Sequence, residues 1–135
     1  MNNSLTILVV EDEKLLLEAI KKKLSFLNIS CISASSVAEA KQFIDTTSSP
    51  PDAIWLDFLL GDGSGLDVLE YVKSHPVMST VPIFVVSNSG SDDKITQMLA
   101  LGAARYMVKA EHRIEDIINI VKEFIEVEKE GLTNA

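Results

Sequence analysis

The sequence predicts a three-layered α/β fold, with a mostly parallel sheet of five strands and helices on both of its faces. Three observations carry this. Apolar runs of strand length recur five times, and several lack the alternation of a half-exposed strand. Each run is followed by a segment of helical period, and strands joined through helices pair in parallel by right-handed crossovers. The chain has 135 residues, 47% of them hydrophobic, which suits one domain with a sizeable core.

The first strand is expected at 5–10, where Ile7-Leu8-Val9-Val10 runs into Glu11-Asp12-Glu13. A helix over 14–27 follows, with Leu16, Ile20, Leu24 and Leu27 at helical spacing and Lys21-Lys22-Lys23 on a solvated face. The second strand, 29–34, holds the only cysteine, Cys31, in a setting that buries it; no internal disulfide can form. After a helix over 37–46, Ser49-Pro50-Pro51-Asp52 leads into a third strand at 53–56, and a turn from Gly61 to Gly65 leaves it. The next helix, 65–74, is ended by His75-Pro76, and Val81-Pro82 enters the fourth strand at 83–86. A helix over 92–101, a fifth strand at 106–108 and a last helix over 114–128 complete the order. Ile114, Ile117, Ile118, Val121 and Ile125 form the stripe that buries that last helix. Residues 1–128 are read as the domain and 129–135 as a flexible C-terminal tail.

Composition excludes some functions. A formal net charge of −8 opposes attraction to nucleic acid phosphates and anionic lipid, so direct nucleic acid binding is not expected. No apolar run approaches the roughly 20 residues that cross a bilayer, and Met1-Asn2-Asn3-Ser4 lacks the basic start of a signal peptide, so a cytoplasmic location is expected.

Ligands of open α/β sheets bind beyond the carboxyl ends of the strands. Those ends carry Glu11 and Asp12 after the first strand, Asp57 after the third, Ser87 after the fourth and Lys109 after the fifth. Each has an ordinary explanation alone, as a helix cap, a first-turn acid or a solvated lysine. Three acids brought together are costly unless a cation neutralises them, and oxygen ligands suit Mg²⁺ or Mn²⁺. A carboxylate beside such an ion can attack phosphorus, with Lys109 and the Ser87 hydroxyl holding phosphoryl oxygens. The constellation reads as a phosphoryl-transfer site.

Over 5–124 the chain resembles the bacterial response-regulator receiver family, of the stand-alone, chemotaxis-regulator-like kind. The motifs are Ile7-Leu8-Val9-Val10-Glu11-Asp12-Glu13, Trp55-Leu56-Asp57-Phe58-Leu59-Leu60-Gly61-Asp62-Gly63-Ser64-Gly65, Pro82-Ile83-Phe84-Val85-Val86-Ser87-Asn88 and Gly102-Ala103-Ala104-Arg105-Tyr106-Met107-Val108-Lys109. The resemblance implies a doubly wound, flavodoxin-like sheet of order 2-1-3-4-5, the order general to this fold family. It implies that Asp57 is the phosphoacceptor and that Asp12 and Asp57 bind Mg²⁺ directly. Glu11 would act through water, and the backbone carbonyl of Leu59 would be a further ligand. Ser87 and Lys109 would hold the phosphoryl group, and Tyr106 would be an aromatic switch following Ser87. The implied partners are a histidine kinase or histidine phosphotransfer protein, and a protein target on the face of the fourth helix, fifth strand and fifth helix. A phosphorylation-dependent homodimer is also compatible with it.

Four departures from the family pattern stand out. Gly61 replaces a proline, so a less rigid loop is expected; Asn88 replaces a small residue. Ala110 follows Lys109 where proline is usual, and the expectation is that the Lys109–Ala110 bond stays cis, with a differently placed Lys109 as the other outcome. Leu59 and Ser89 occupy positions that tune hydrolysis, and neither suits orienting water, so a long-lived phosphoaspartate is expected. A haloacid-dehalogenase-like phosphatase would want an acid where Leu59 stands. A flavodoxin-like electron carrier would want a glycine- and hydroxyl-rich phosphate loop after the first strand. A docking-only pseudo-receiver is the third alternative.

Overall fold

The computed structural model describes residues 4–88 and 91–134, with side chains through residue 130. Met1-Asn2-Asn3, the variable-position Ser89, and the side chains of most of the expected tail lie outside the described residues. The order is β1 (Thr6–Val10), α1 (Lys14–Phe26), β2 (Ser30–Ala34), α2 (Val37–Thr46), β3 (Ala53–Leu56), α3 (Gly65–Ser74), β4 (Ile83–Ser87), α4 (Asp92–Ala100), β5 (Arg105–Val108) and α5 (Ile114–Asn134). A short antiparallel ribbon pairing Leu59–Leu60 with Gly63–Ser64 lies between β3 and α3, and a 3-10 turn at Lys109–Glu111 lies between β5 and α5.

The five main strands are all parallel, in the order β2-β1-β3-β4-β5. Successive side chains of a strand point to opposite faces, and both faces here are apolar. Leu8, Val10, Ile54, Leu56, Ile83 and Val85 join the core under α2, α3 and α4. Their neighbours Ile7, Val9, Trp55, Phe84 and Val86 join the core under α1 and α5. This double burial is why the strands read as unbroken apolar runs. Trp55 is 2% exposed, and its buried indole N–H has no partner among the described residues, so packing holds the ring.

Two local expectations are refined. Cys31, on edge strand β2, is only half-buried, and burial pushes its thiol up. The apolar stripe of α5 ends at Ile125, yet the helix continues to Asn134, because Glu126, Glu128, Lys129 and Glu130 are helix-compatible without burial. No described helix is long and apolar enough to cross a membrane.

Candidate phosphoryl-transfer site

Register brings the acids together. Val10 pairs with Leu56, so the residues that follow, Glu11 and Asp57, leave the sheet side by side at its carboxyl edge. The Asp57 amide donates to the Val10 carbonyl (3.0 Å) and the Glu11 amide to the Ala34 carbonyl (3.0 Å), which extends the ladder past each strand end. Glu11 is fully buried, Asp57 is 5% exposed, and Asp12 is exposed. One carboxylate oxygen from each of the three lies within 4.8 Å of the others.

Capping does not account for these acids. The N-cap of α1 is Glu13, whose side chain makes no capping bond, so neither Glu11 nor Asp12 serves there. Glu11 accepts from the Glu13 amide with one oxygen (3.1 Å) and from Lys109 Nζ with the other (3.0 Å). Lys109 Nζ also donates to Asp57 Oδ2 at 3.3 Å. Burial raises the Glu11 pKa, and the Asp57 charge adds to this; the Lys109 ammonium and the Glu13 amide work the other way without cancelling it. Burial disfavours the Lys109 ammonium, but the Glu11 and Asp57 carboxylates more than offset that and hold its pKa above the ordinary lysine value. Glu11 and Asp57 thus share one ammonium with Asp12 close by, and the surplus negative charge is what a divalent cation would neutralise. An all-oxygen donor set of this kind fits a hard ion such as Mg²⁺ or Mn²⁺.

Ser87 ends β4, is 2% exposed, and pairs with Val108, directly before Lys109. The structure therefore gathers Glu11, Asp12, Asp57, Ser87 and Lys109 at one sheet edge. Tyr106 sits one strand further out, half-buried against the core under α2, α3 and α4. Leu59 pairs with Ser64 in the ribbon and its side chain is 61% exposed. Asn88 is exposed.

The cis expectation is corrected: the Lys109–Ala110 bond is trans, and the described chain has no cis bond. Without proline the cis form would cost about 3–4 kcal/mol. The chain turns instead through the 3-10 helix at Lys109–Glu111, and Lys109 still reaches both Glu11 and Asp57.

Two site-shaping residues were not assigned a role from sequence. At Gly65 a Cβ would lie 2.5 Å from the Asp57 carbonyl and 3.1 Å from Phe58 Cα, so only glycine lets α3 start this close behind the acidic strand end. Its amide donates to the Phe58 carbonyl at 2.6 Å. Asp62 accepts from the amides of Val37 and Ala38 in the first turn of α2, at 2.8 and 3.0 Å. Those two amide bonds hold the Asp62 carboxyl below its usual range. The glycine cluster itself was a visible turn signal, whereas the partners of Asp62 lie far upstream and left none.

Comparison with known proteins bears on the family and the fold. The family described as response regulator receiver domain matches residues 7–122. The phosphate regulon transcriptional regulatory protein PhoB of Pseudomonas aeruginosa is 31% identical over 104 residues, which is 77% of this chain; the chain spans 44% of that regulator. The crystal structure of the phosphorylated cyanobacterial phytochrome response regulator RcpA superposes with a TM-score of 0.77 at 27% identity, covering 91% of this chain and 92% of that one. The receiver domain of a Pseudomonas aeruginosa sensor histidine kinase shares the fold at a TM-score of 0.79 and 20% identity, covering 91% of this chain and 98% of that one. That structure holds a magnesium ion coordinated in its active site cleft.

Proposed function

The chain belongs to the response regulator receiver family, and on that premise we propose that Asp57 accepts a phosphoryl group from a phosphohistidine of a histidine kinase or phosphotransfer protein. An Asp57 carboxylate oxygen forms the new P–O bond as the P–N bond to the donor breaks and the imidazole leaves. The observation that carries this reading is the meeting of Glu11, Asp12 and Asp57 with Lys109 at the carboxyl edge of the sheet.

Glu11, Asp12, Asp57 and the Leu59 carbonyl would hold Mg²⁺ or Mn²⁺, which when bound supplies charge neutralisation and orientation for the phosphoryl oxygens. Lys109, already 3.3 Å from Asp57 Oδ2, offers its ammonium to a phosphoryl oxygen, and the Ser87 hydroxyl donates to another. Moving Ser87 toward the phosphoryl group frees space for Tyr106 to turn inward. That motion reshapes the α4, β5 and α5 face, to which a downstream protein target or a second phosphorylated copy binds. Such a switch needs roughly 5 kcal/mol of differential stabilisation, within reach of a buried charge-assisted network. Leu59 offers no group to orient attacking water, so the phosphoaspartate is long-lived and the chain acts as a signalling domain rather than a turnover enzyme. The net charge of −8 favours a protein over nucleic acid as its direct contact.

Incubation with acetyl phosphate, with and without Mg²⁺, tests this by intact mass. Wild type should gain one phosphoryl group only with the metal, and Asp57→Asn should gain none. Equal labelling of the two proteins would reject the site.

A further inference from the structure

Starting from the proposed Mg²⁺-dependent chemistry, we infer that Asp62 is a positioning residue for the metal site, tying the loop that carries Leu59 to the first turn of α2.

The loop's other polar supports lie at its α3 end, where the Ser64 amide donates to Asp67 Oδ2 (3.0 Å) and the Gly65 amide to the Phe58 carbonyl (2.6 Å). The loop crosses from β3 to α3 as a ribbon of two residue pairs, Leu59 with Ser64 and Leu60 with Gly63, around the turn Gly61-Asp62. A two-stranded ribbon is marginally stable by itself. Leu60, 5% exposed, anchors one arm in the core. At the tip, a Cβ on Gly61 would meet nothing within 4 Å, so packing does not hold the turn there. What holds it is the Asp62 carboxylate, one oxygen on the Val37 amide and the other on the Ala38 amide. The close fit continues at Gly63, where a Cβ would lie 2.7 Å from Asp67 Oδ2 of α3 and 3.1 Å from Val37 Cγ2 of α2.

The same bonds complete α2. The first amides of a helix lack intrahelical acceptors. Asp62 takes those of Val37 and Ala38, the Ser36 hydroxyl takes that of Glu39 (3.0 Å), and the Ser36 carbonyl takes that of Ala40 (3.1 Å). A carboxylate here also meets the positive end of the helix dipole. Asp62 thus serves the helix and the loop together, whereas Ser36 serves only the helix.

This difference between Asp62 and Ser36 sets the test. Mg²⁺ is titrated into wild type, Asp62→Ala, Asp62→Asn and Ser36→Ala while Trp55 fluorescence is followed, and amide exchange of residues 59–64 is measured in parallel. Asp62→Ala should weaken Mg²⁺ binding about tenfold, as loss of a group that orients metal ligands does, and should speed exchange in the loop. Asp62→Asn, keeping one acceptor oxygen, should fall between it and wild type. Ser36→Ala should lower the melting temperature and leave the Mg²⁺ affinity at the wild-type value. The inference is overturned if Asp62→Ala binds Mg²⁺ as wild type does, or if Ser36→Ala weakens binding equally. Failure of wild type itself to bind Mg²⁺ would instead overturn the metal-dependent function on which the inference rests.

Discussion

Asp57 and Asp62 stand on the same crossing between β3 and α3, and their charges are met in opposite ways. Asp62 is exposed, yet each of its oxygens is used by an α2 amide, and those bonds hold its carboxyl down. Asp57 is buried beside two further carboxylates with one lysine between them, and burial together with the Asp57 charge pushes the Glu11 carboxyl up. A carboxylate whose partners are supplied by its own fold is explained by folding. One placed where the fold supplies too few partners keeps free energy for a ligand to release. On the proposed function, the contrast separates a structural acid from a chemical one within a single loop.

The contrast would break most visibly in metal titrations. Saturating Mg²⁺ should raise the stability of wild type by roughly 2.7 kcal/mol at a hundredfold excess over Kd. Asp57→Asn should lose most of that gain and Asp62→Asn should keep most of it, as read by thermal melts. A smaller effect is expected behind the site. Gly65→Ala puts a methyl group 2.5 Å from the Asp57 carbonyl, and urea denaturation should show a loss of about 2 kcal/mol with slower phosphorylation by acetyl phosphate. On the helix side, Ser36→Ala removes the bond to the Glu39 amide and should cost about 1 kcal/mol in the same assay, with phosphorylation unchanged.

The smallest effect is the pH dependence of the Asp62 clamp. Its folded pKa lies below that of a free aspartate, so its contribution is complete above the ordinary aspartate range and is lost as pH falls through the lowered value. The urea midpoints of wild type and Asp62→Asn should therefore differ near neutral pH and converge in acid. Parallel curves across that range would assign the clamp to dipolar bonding indifferent to charge.

Much of this was legible from sequence because the physics behind it is local. Strands covered on both faces must be apolar throughout, and the runs at Ile7–Val10 and Ile83–Val86 could be read as nothing else once helical segments separated them. The acids, Ser87 and Lys109 followed from strand ends alone, since parallel register brings those ends to one edge. What escaped depended on partners distant in sequence or on backbone geometry. Gly61-Asp62-Gly63 reads as an ordinary turn, and nothing in it points to Val37 and Ala38. The absence of proline at position 110 suggested retained strain, whereas the chain resolves it with a trans bond and a 3-10 turn. The last turns of α5, beyond 128, carry no apolar stripe to mark them and rest on helix propensity.

The assignment of Asp57 as the reacting acid is open to direct chemical reading. An acyl phosphate is reduced by borohydride to an alcohol, so phosphorylated protein treated with labelled borohydride and digested carries the label at the residue that held the phosphoryl group. The label should map to residue 57 alone. Label at Asp12 or Asp62, or none anywhere after Mg²⁺-dependent phosphorylation, would contradict the account.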